Sequence, residues 1–227
     1  MTTSFVRGVL FALFIGTPTL AHAQVFVGGA KPRPGSAELS GGGFWMAGQS
    51  LAERAATLTP NPSTGSASFD LFNVEPRLDP SFGVHGALAV YVTRTLAIEG
   101  GIQFSRPKLT VRLTDDAENA PDVTATGTIT SYVFTGSVVY HFGSSARTVP
   151  FISAGAGHVR DVHEGNELVE TGVEYHGTVG IKSWFGRVRK IGFRAEGGVS
   201  VRDGGFSLDE DGVRTVPMAA ASLLYLF

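Results

Sequence analysis

Eight segments of this chain alternate apolar and polar residues with a period of two, and no segment carries an apolar run long enough for a spanning helix. That combination leaves few folds open. The segments are 37–47, 82–92, 96–105, 127–142, 150–160, 173–184, 191–202 and a last one ending at Phe227. A period of two is the mark of a strand whose two faces meet different surroundings. In 96–105, Leu96, Ile98, Ile102 and Phe104 oppose Glu99, Gln103 and Ser105. In 173–184, Val173, Tyr175, Val179 and Ile181 oppose Glu174, His176, Thr178 and Lys182, and in 191–202 Ile191, Phe193 and Val199 oppose Arg194, Glu196 and Arg202. Strand 127–142 sets Tyr132, Phe134, Val138 and Tyr140 against Ser131, Thr135, Ser137 and His141.

A β-sandwich and a membrane barrel both produce such alternation. Three features favour the barrel. Most segments reach the about 9–11 residues that a tilted strand needs to cross a bilayer. Full charges sit mid-strand on the polar face, at Glu99, Lys182, Arg194 and Glu196. The connections alternate strictly between short (93–95, 143–149, 186–190) and long (48–81, 114–126, 161–172, 203–212), as periplasmic turns and outward loops do. Charge follows the same division. The short turns carry Arg94, Arg147, Arg187, Arg189 and Lys190, while the long loops carry Asp115, Asp116, Glu118, Asp122, Glu164, Glu167, Asp209, Glu210 and Asp211. Within the long loop 48–81, the stretch 51–58 reads as a helical turn or two and 68–74 as an extension of the second strand. Aromatics near strand ends suggest two interface girdles. One comprises Tyr91, Tyr140, Phe142, Trp184 and Phe227, and the other Trp45, Phe82, Phe104, Tyr132 and Tyr175.

The N-terminus supplies an address. Arg7, the apolar run 9–15 and Ala21-His22-Ala23 have the form of a secretory signal peptide cleaved before Gln24. Its apolar part is far shorter than the about 20 residues of a spanning helix. The expected organisation is therefore a signal peptide at 1–23, a proline-interrupted periplasmic tail at 24–35 and a barrel at 36–227. The chain holds no Cys, so it has no disulfide framework or thiol chemistry. A net charge of −2 gives no argument for nucleic acid.

In the last strand, Ala219, Ala221, Leu223, Tyr225 and Phe227 share one wholly apolar face. Tyr225-Leu226-Phe227 resembles the C-terminal signature of bacterial outer-membrane barrels. The run 150–157, Pro-Phe-Ile-Ser-Ala-Gly-Ala-Gly, is similar to the fifth strand of the small eight-stranded OmpA/OmpX/opacity-protein type. The resemblance implies an all-β, antiparallel up-and-down barrel in the outer membrane, with both termini periplasmic and no peptidoglycan-binding domain after it. It implies lipid and lipopolysaccharide as surroundings, the barrel assembly machinery as reader of the last strand, and a monomeric state. The extracellular partner is left open.

An eight-stranded barrel has interior room only for side chains, so inward charges must pair. Glu99, Glu174 and Glu196 are expected to answer Lys182 and Arg194, with His85, His141 and His176 as neutral bridges. In the sharper form, Lys182 and Arg194 share Glu196, with Glu99 as the second acid. Catalysis has no visible site. The His-x-Ser pattern of outer-membrane lipid hydrolases is missing, and His141 is followed by a Ser only in the turn at Ser144. The acidic loop tips lack the glycine spacing of a calcium loop, so no metal, cofactor or catalytic residue is expected. The sequence reading is a structural or surface-interaction barrel with a plugged lumen. A minor pore or small hydrophobic-compound channel is the alternative, and a lipid-modifying enzyme a more distant one.

Overall fold

The computed structural model describes residues 32–59, 67–143, 147–165, 168–204 and 213–227. The expected signal peptide, most of the tail, Glu167 and Asp209 to Asp211 lie outside the described residues. Within them there is no helix, and strands run in the order β1 (Ala37–Met46), β2 (Gln49–Ser50), β3 (Arg54–Leu58), β4 (Phe69–Leu78), β5 (Ser81–Tyr91), β6 (Leu96–Ser105), β7 (Lys108–Thr114), β8 (Val123–His141), β9 (Thr148–His163), β10 (Val169–Phe185), β11 (Ile191–Gly204) and β12 (Val213–Leu226). Eight of them close an antiparallel barrel: β8-β6-β5-β1-β12-β11-β10-β9 and back to β8. The last strand seals against the first, with Glu38 opposite Leu226 and Met46 opposite Met218. Beyond the ladder, the Phe227 backbone N–H donates to the Ala37 carbonyl at 2.8 Å.

The side chains sort as the period-two pattern requires, and the sorting is the inverse of a water-soluble fold. Leu223 (66%), Val179 (64%) and Phe227 (64%) are largely exposed on the outer face, whereas Lys182 (0%) and Glu38 (1%) are buried inside. Ala219, Ala221, Leu223, Tyr225 and Phe227 all lie on the outer face of β12. A continuous apolar band of this kind exceeds what soluble monomers expose, and it matches the lipid-facing belt of a membrane barrel.

Glycine allows the inner face to pack. A Cβ on Gly180 would stand 2.7 Å from the Phe151 ring and 2.4 Å from the Ala195 carbonyl oxygen. Without one, the Phe151 ring approaches the strand closely, and the narrow barrel accommodates it beside the buried charges.

Beyond the barrel, at the end opposite the β5–β6 and β10–β11 turns, β3, β4, β7 and the first residues of β8 form a second sheet, directed outward from the barrel. Two prolines mark the boundary. Asp79-Pro80 separates β4 from β5, and Arg106-Pro107 separates β6 from β7. Proline has no N–H to continue a ladder, and the register slips by one residue between the Gly83–Ser105 pairing below and the Leu78–Leu109 pairing above. Only β8, 19 residues long, runs unbroken through both layers.

The structure corrects three expectations. The stretch 51–58 contains strand β3 and no helical turn, because β4 offers it an open edge to pair with. Strands β8, β9 and β10 extend farther outward than their predicted ends, so the connections 114–126 and 161–172 are shorter than expected. Tyr91 and Trp184 are not girdle residues. Both are buried in the interior, because each shares parity with inward residues: Tyr91 with Ala89, and Trp184 with Lys182. Around the outer mouth, Phe104 packs against Tyr132 with ring centroids 5.3 Å apart. At the short-turn end, Tyr140 and Phe142 meet edge-on at 5.3 Å.

Candidate functional site: the barrel lumen

From the short-turn end outward, the lumen is filled in layers. The first is apolar and is built by Tyr91, Val139, Phe151, Trp184, Leu224 and Leu226. Above it Lys182 Nζ donates to Glu38 Oε1 at 2.7 Å, and the Tyr91 hydroxyl donates to Glu38 Oε2 at 2.7 Å. Lys182 also lies 5.5 Å from the centroid of the Phe151 ring, a cation–π distance. The next layer centres on Arg194. Its Nη1 donates to Glu99 Oε2 at 2.5 Å and its Nη2 to Glu196 Oε2 at 2.8 Å. Thr178 adds a hydrogen bond to the same Glu196 oxygen at 2.9 Å. Farther out, Arg202 Nε donates to Glu174 Oε2 at 2.8 Å. At the outer end, apolar side chains stand beside buried polar ones, among them Ser131, Asp161 and Arg214. Phe44, Met46 and Val216 form one group, and Leu51, Leu78, Leu109 and Ile129 another.

The five charges expected in the lumen, Glu99, Glu174, Lys182, Arg194 and Glu196, all point inward and are largely buried. Their pairing differs from the expectation. Lys182 does not share Glu196, and its partner is Glu38 on β1. The sharing runs the other way, with one guanidinium, Arg194, holding two carboxylates. Glu174 meets neither Lys182 nor Arg194 and pairs with Arg202 on the neighbouring strand, its partner in the β-ladder register. Glu38 had a readable signal, since the alternation in β1 puts it on the face of Ser40 and Phe44.

The histidines do not all bridge. His141 contacts the Thr95 carbonyl through Nδ1 at 3.2 Å and lies 3.5 Å from the Tyr91 hydroxyl. His85 Nε2 has no partner. His176 Nε2 is 2.8 Å from Ser137 Oγ. That contact crosses β9 at Gly155, whose register partners are Ser137 on one side and His176 on the other. A Cβ there would stand 2.6 Å from Ser137 Oγ. On its other side, His176 Nδ1 stands 3.8 Å from Glu174 Oε1.

Ser137, His176 and Glu174 thus fall in the order of a hydrolytic triad, but they lack what the chemistry needs. The His–Glu leg is too long for a hydrogen bond. The adjoining cavity measures about 40 Å³, room for a few waters and not for an acyl substrate.

Outside the barrel, several loop acids are engaged. Arg106 binds Glu164, which also accepts from Thr130 at 3.0 Å. The hydrogen bonds from Arg106 and Thr130 hold the Glu164 carboxyl below its usual range. Arg112 pairs with Asp122 at 2.6 Å.

No protein-family model matches the chain, and no curated protein matches it in sequence. Solved structures do match it. The outer membrane protein OprG from Pseudomonas aeruginosa aligns with a TM-score of 0.52 at 12% identity, over 88% of this chain and 98% of that one. Neisserial surface protein A aligns with a TM-score of 0.50 at 11% identity, over 84% and 96%. At such identities the likeness concerns the backbone alone, and it agrees with the closed ring of eight strands: the chain has the fold of the small eight-stranded outer-membrane β-barrels.

Proposed function

We propose that this protein is a non-enzymatic outer-membrane barrel with a structural and surface-interaction role, its lumen held shut and its outward sheet offered to the exterior. The observation that carries the reading is the filling of the lumen. An apolar layer closes the short-turn end, and the charges stacked above it on Lys182, Glu38, Arg194, Glu99, Glu196, Arg202 and Glu174 are paired with one another, with Lys182 and Glu38 wholly buried. A conducting path needs a continuous polar lining and water, and the apolar layer at the short-turn end interrupts both.

Support for the surface role comes from the outward sheet. Residues 123–128 of β8 pair with β7 on one side, whereas pairing with β9 begins only at Ile129. The run Val-Thr-Ala-Thr-Gly-Thr is uncharged and rich in β-formers, and at 123–127 its outer row pairs with no strand among the described residues, while the Thr128 carbonyl accepts from the Glu164 N–H at 3.0 Å. Such an edge can receive an extended strand from a partner.

The test is conductance. Purified protein in planar bilayers is expected to give no steady channel. Steady conductance that survives repurification would overturn the closed lumen and favour the pore reading. The expected surroundings are outer-membrane lipid and lipopolysaccharide, with insertion by the barrel assembly machinery. Heat-modifiable migration of membrane-extracted protein is the matching check, and recovery of the mature chain from the soluble periplasm would sink the reading.

A further inference from the structure

We propose that the outer mouth of the barrel holds a hard divalent cation, Ca²⁺ or Mg²⁺, bound by the carboxylates of Asp79 and Asp161 with neutral oxygens from Gln49 and Ser131. These four residues, with Ser81 and Ser105, line one cavity of about 10 Å³ where the outward sheet meets the barrel. That volume is about one water-sized sphere, the size of a single ion or water.

Three of the donors converge on this one cavity. Asp161 (3% exposed) and Ser131 (2%) are buried, and Asp161 Oδ1, Ser131 Oγ and Gln49 Oε1 make no close hydrogen bond, the Ser131 side chain standing beside the Asp161 carboxyl. Buried polar atoms are nearly always satisfied, so three such oxygens lining one cavity point to an occupant. Two of the three only accept hydrogen bonds, and the Ser131 hydroxyl can donate to just one of them.

Charge separates an ion from a water. Neither Asp79 nor Asp161 takes part in an ion pair among the described residues. The Asp79 side chain accepts a long hydrogen bond from Thr110, at 3.4 Å. Arg202 also lines the cavity, but Glu174 holds it at 2.8 Å and that pair is neutral. Arg202 and Arg214 both attract Asp161, but Glu174 holds Arg202 and Arg214 does not line the cavity, so Asp79, Asp161 and Glu174 outnumber the two arginines, and a divalent cation would balance the excess negative charge. The donor set is all oxygen, which suits Ca²⁺ or Mg²⁺ and not a soft metal. No group of three or more His, Asp or Glu side chains converges among the described residues, so the neutral oxygens are essential to the coordination.

The position gives the ion a task. Asp161 and Ser131 belong to the barrel strands β9 and β8, Asp79 sits at the proline break between β4 and β5, and Gln49 begins the strap leading to the outward sheet. A cation there would clamp that sheet to the barrel, at the face where divalent ions enter from outside.

The experiment uses protein refolded in detergent free of lipopolysaccharide, titrated calorimetrically with CaCl₂ and separately with MgCl₂, and melted with and without EDTA. The parent is expected to bind one equivalent, with a dissociation constant on the order of 10⁻⁴ M as in exposed extracellular sites, and to melt higher with the cation. Asp161→Asn and Ser131→Ala should each weaken binding by about tenfold or more, since each removes one oxygen from a small set. Asp116→Asn, on an exposed loop, should leave it unchanged. Ser131→Ala keeps the test open if Asp161→Asn does not fold. No saturable heat and no cation effect on melting in the parent would overturn the proposal, leaving a water in the cavity. Binding that is lost in Asp116→Asn and kept in Ser131→Ala would overturn it as well, by assigning the ion to the loops.

Discussion

Glu38 is the acid whose loss the interior can least absorb. Lys182 has it as its one carboxylate within ion-pair distance among the described residues, and Tyr91 donates to the same group. Arg194, by contrast, holds two acids. Glu38→Ala should therefore cost roughly 3–5 kcal/mol of unfolding free energy, as broken buried pairs do. Glu196→Ala should cost clearly less, because Glu99 still answers Arg194. Urea unfolding in lipid bilayers measures both, and equal losses would contradict this ranking. A similar test applies to Gly155, where Gly155→Val would drive a branched side chain between Ser137 and His176 and should destabilise the fold by more than an outward-facing glycine exchange. The facing of each residue was legible in the sequence, but the partners were not. Period two gives a face without giving a height, and the Lys182–Glu38 contact joins residues 144 apart in sequence through barrel closure. For Tyr91 and Trp184, aromatic character suggested the girdle while parity placed them inside, and parity was the physically stronger signal.

At the scale of elements, strand pairing followed from alternation and loop length, whereas the outward sheet was only half readable. The extension at 68–74 showed as a β-prone run, but 51–58 carries no clean alternation and became a strand because a neighbour lay open. The proline pairs at 79–80 and 106–107 could have located the boundary, since each forbids one ladder bond at a similar height. The last strand makes its own prediction. Phe227 faces outward, packs edge-on against Tyr225 at 4.8 Å between centroids, and ties its N–H to Ala37 at the seam. A chain truncated after Leu226 should insert and reach the heat-modifiable folded form less efficiently than the intact chain, as read by gel shift of membrane fractions. Equal insertion would show that the terminal aromatic contributes nothing to assembly.

For the whole molecule, the prediction concerns which end faces out. An even number of strands places the N-terminal end of β1 and the C-terminal end of β12 on one side, together with the turns between β5 and β6 and between β10 and β11. On the opposite side stand the outward sheet and the acidic residues Asp115, Asp116 and Asp122. If short turns face the periplasm as in other outer-membrane barrels, the sheet projects from the cell. Because the chain contains no Cys, any introduced thiol is unique and the orientation can be read directly. Thr126→Cys lies on the exposed edge of the outward sheet, and Val188→Cys in the exposed turn after β10. A membrane-impermeant maleimide added to intact cells should label Thr126→Cys strongly and Val188→Cys only after the outer membrane is breached. Both sites are solvent-exposed in the fold, so a difference between them reports the membrane and not local burial. The reverse pattern would invert the topology, and with it remove the exterior role of the sheet and the route by which external divalent cations reach the barrel mouth.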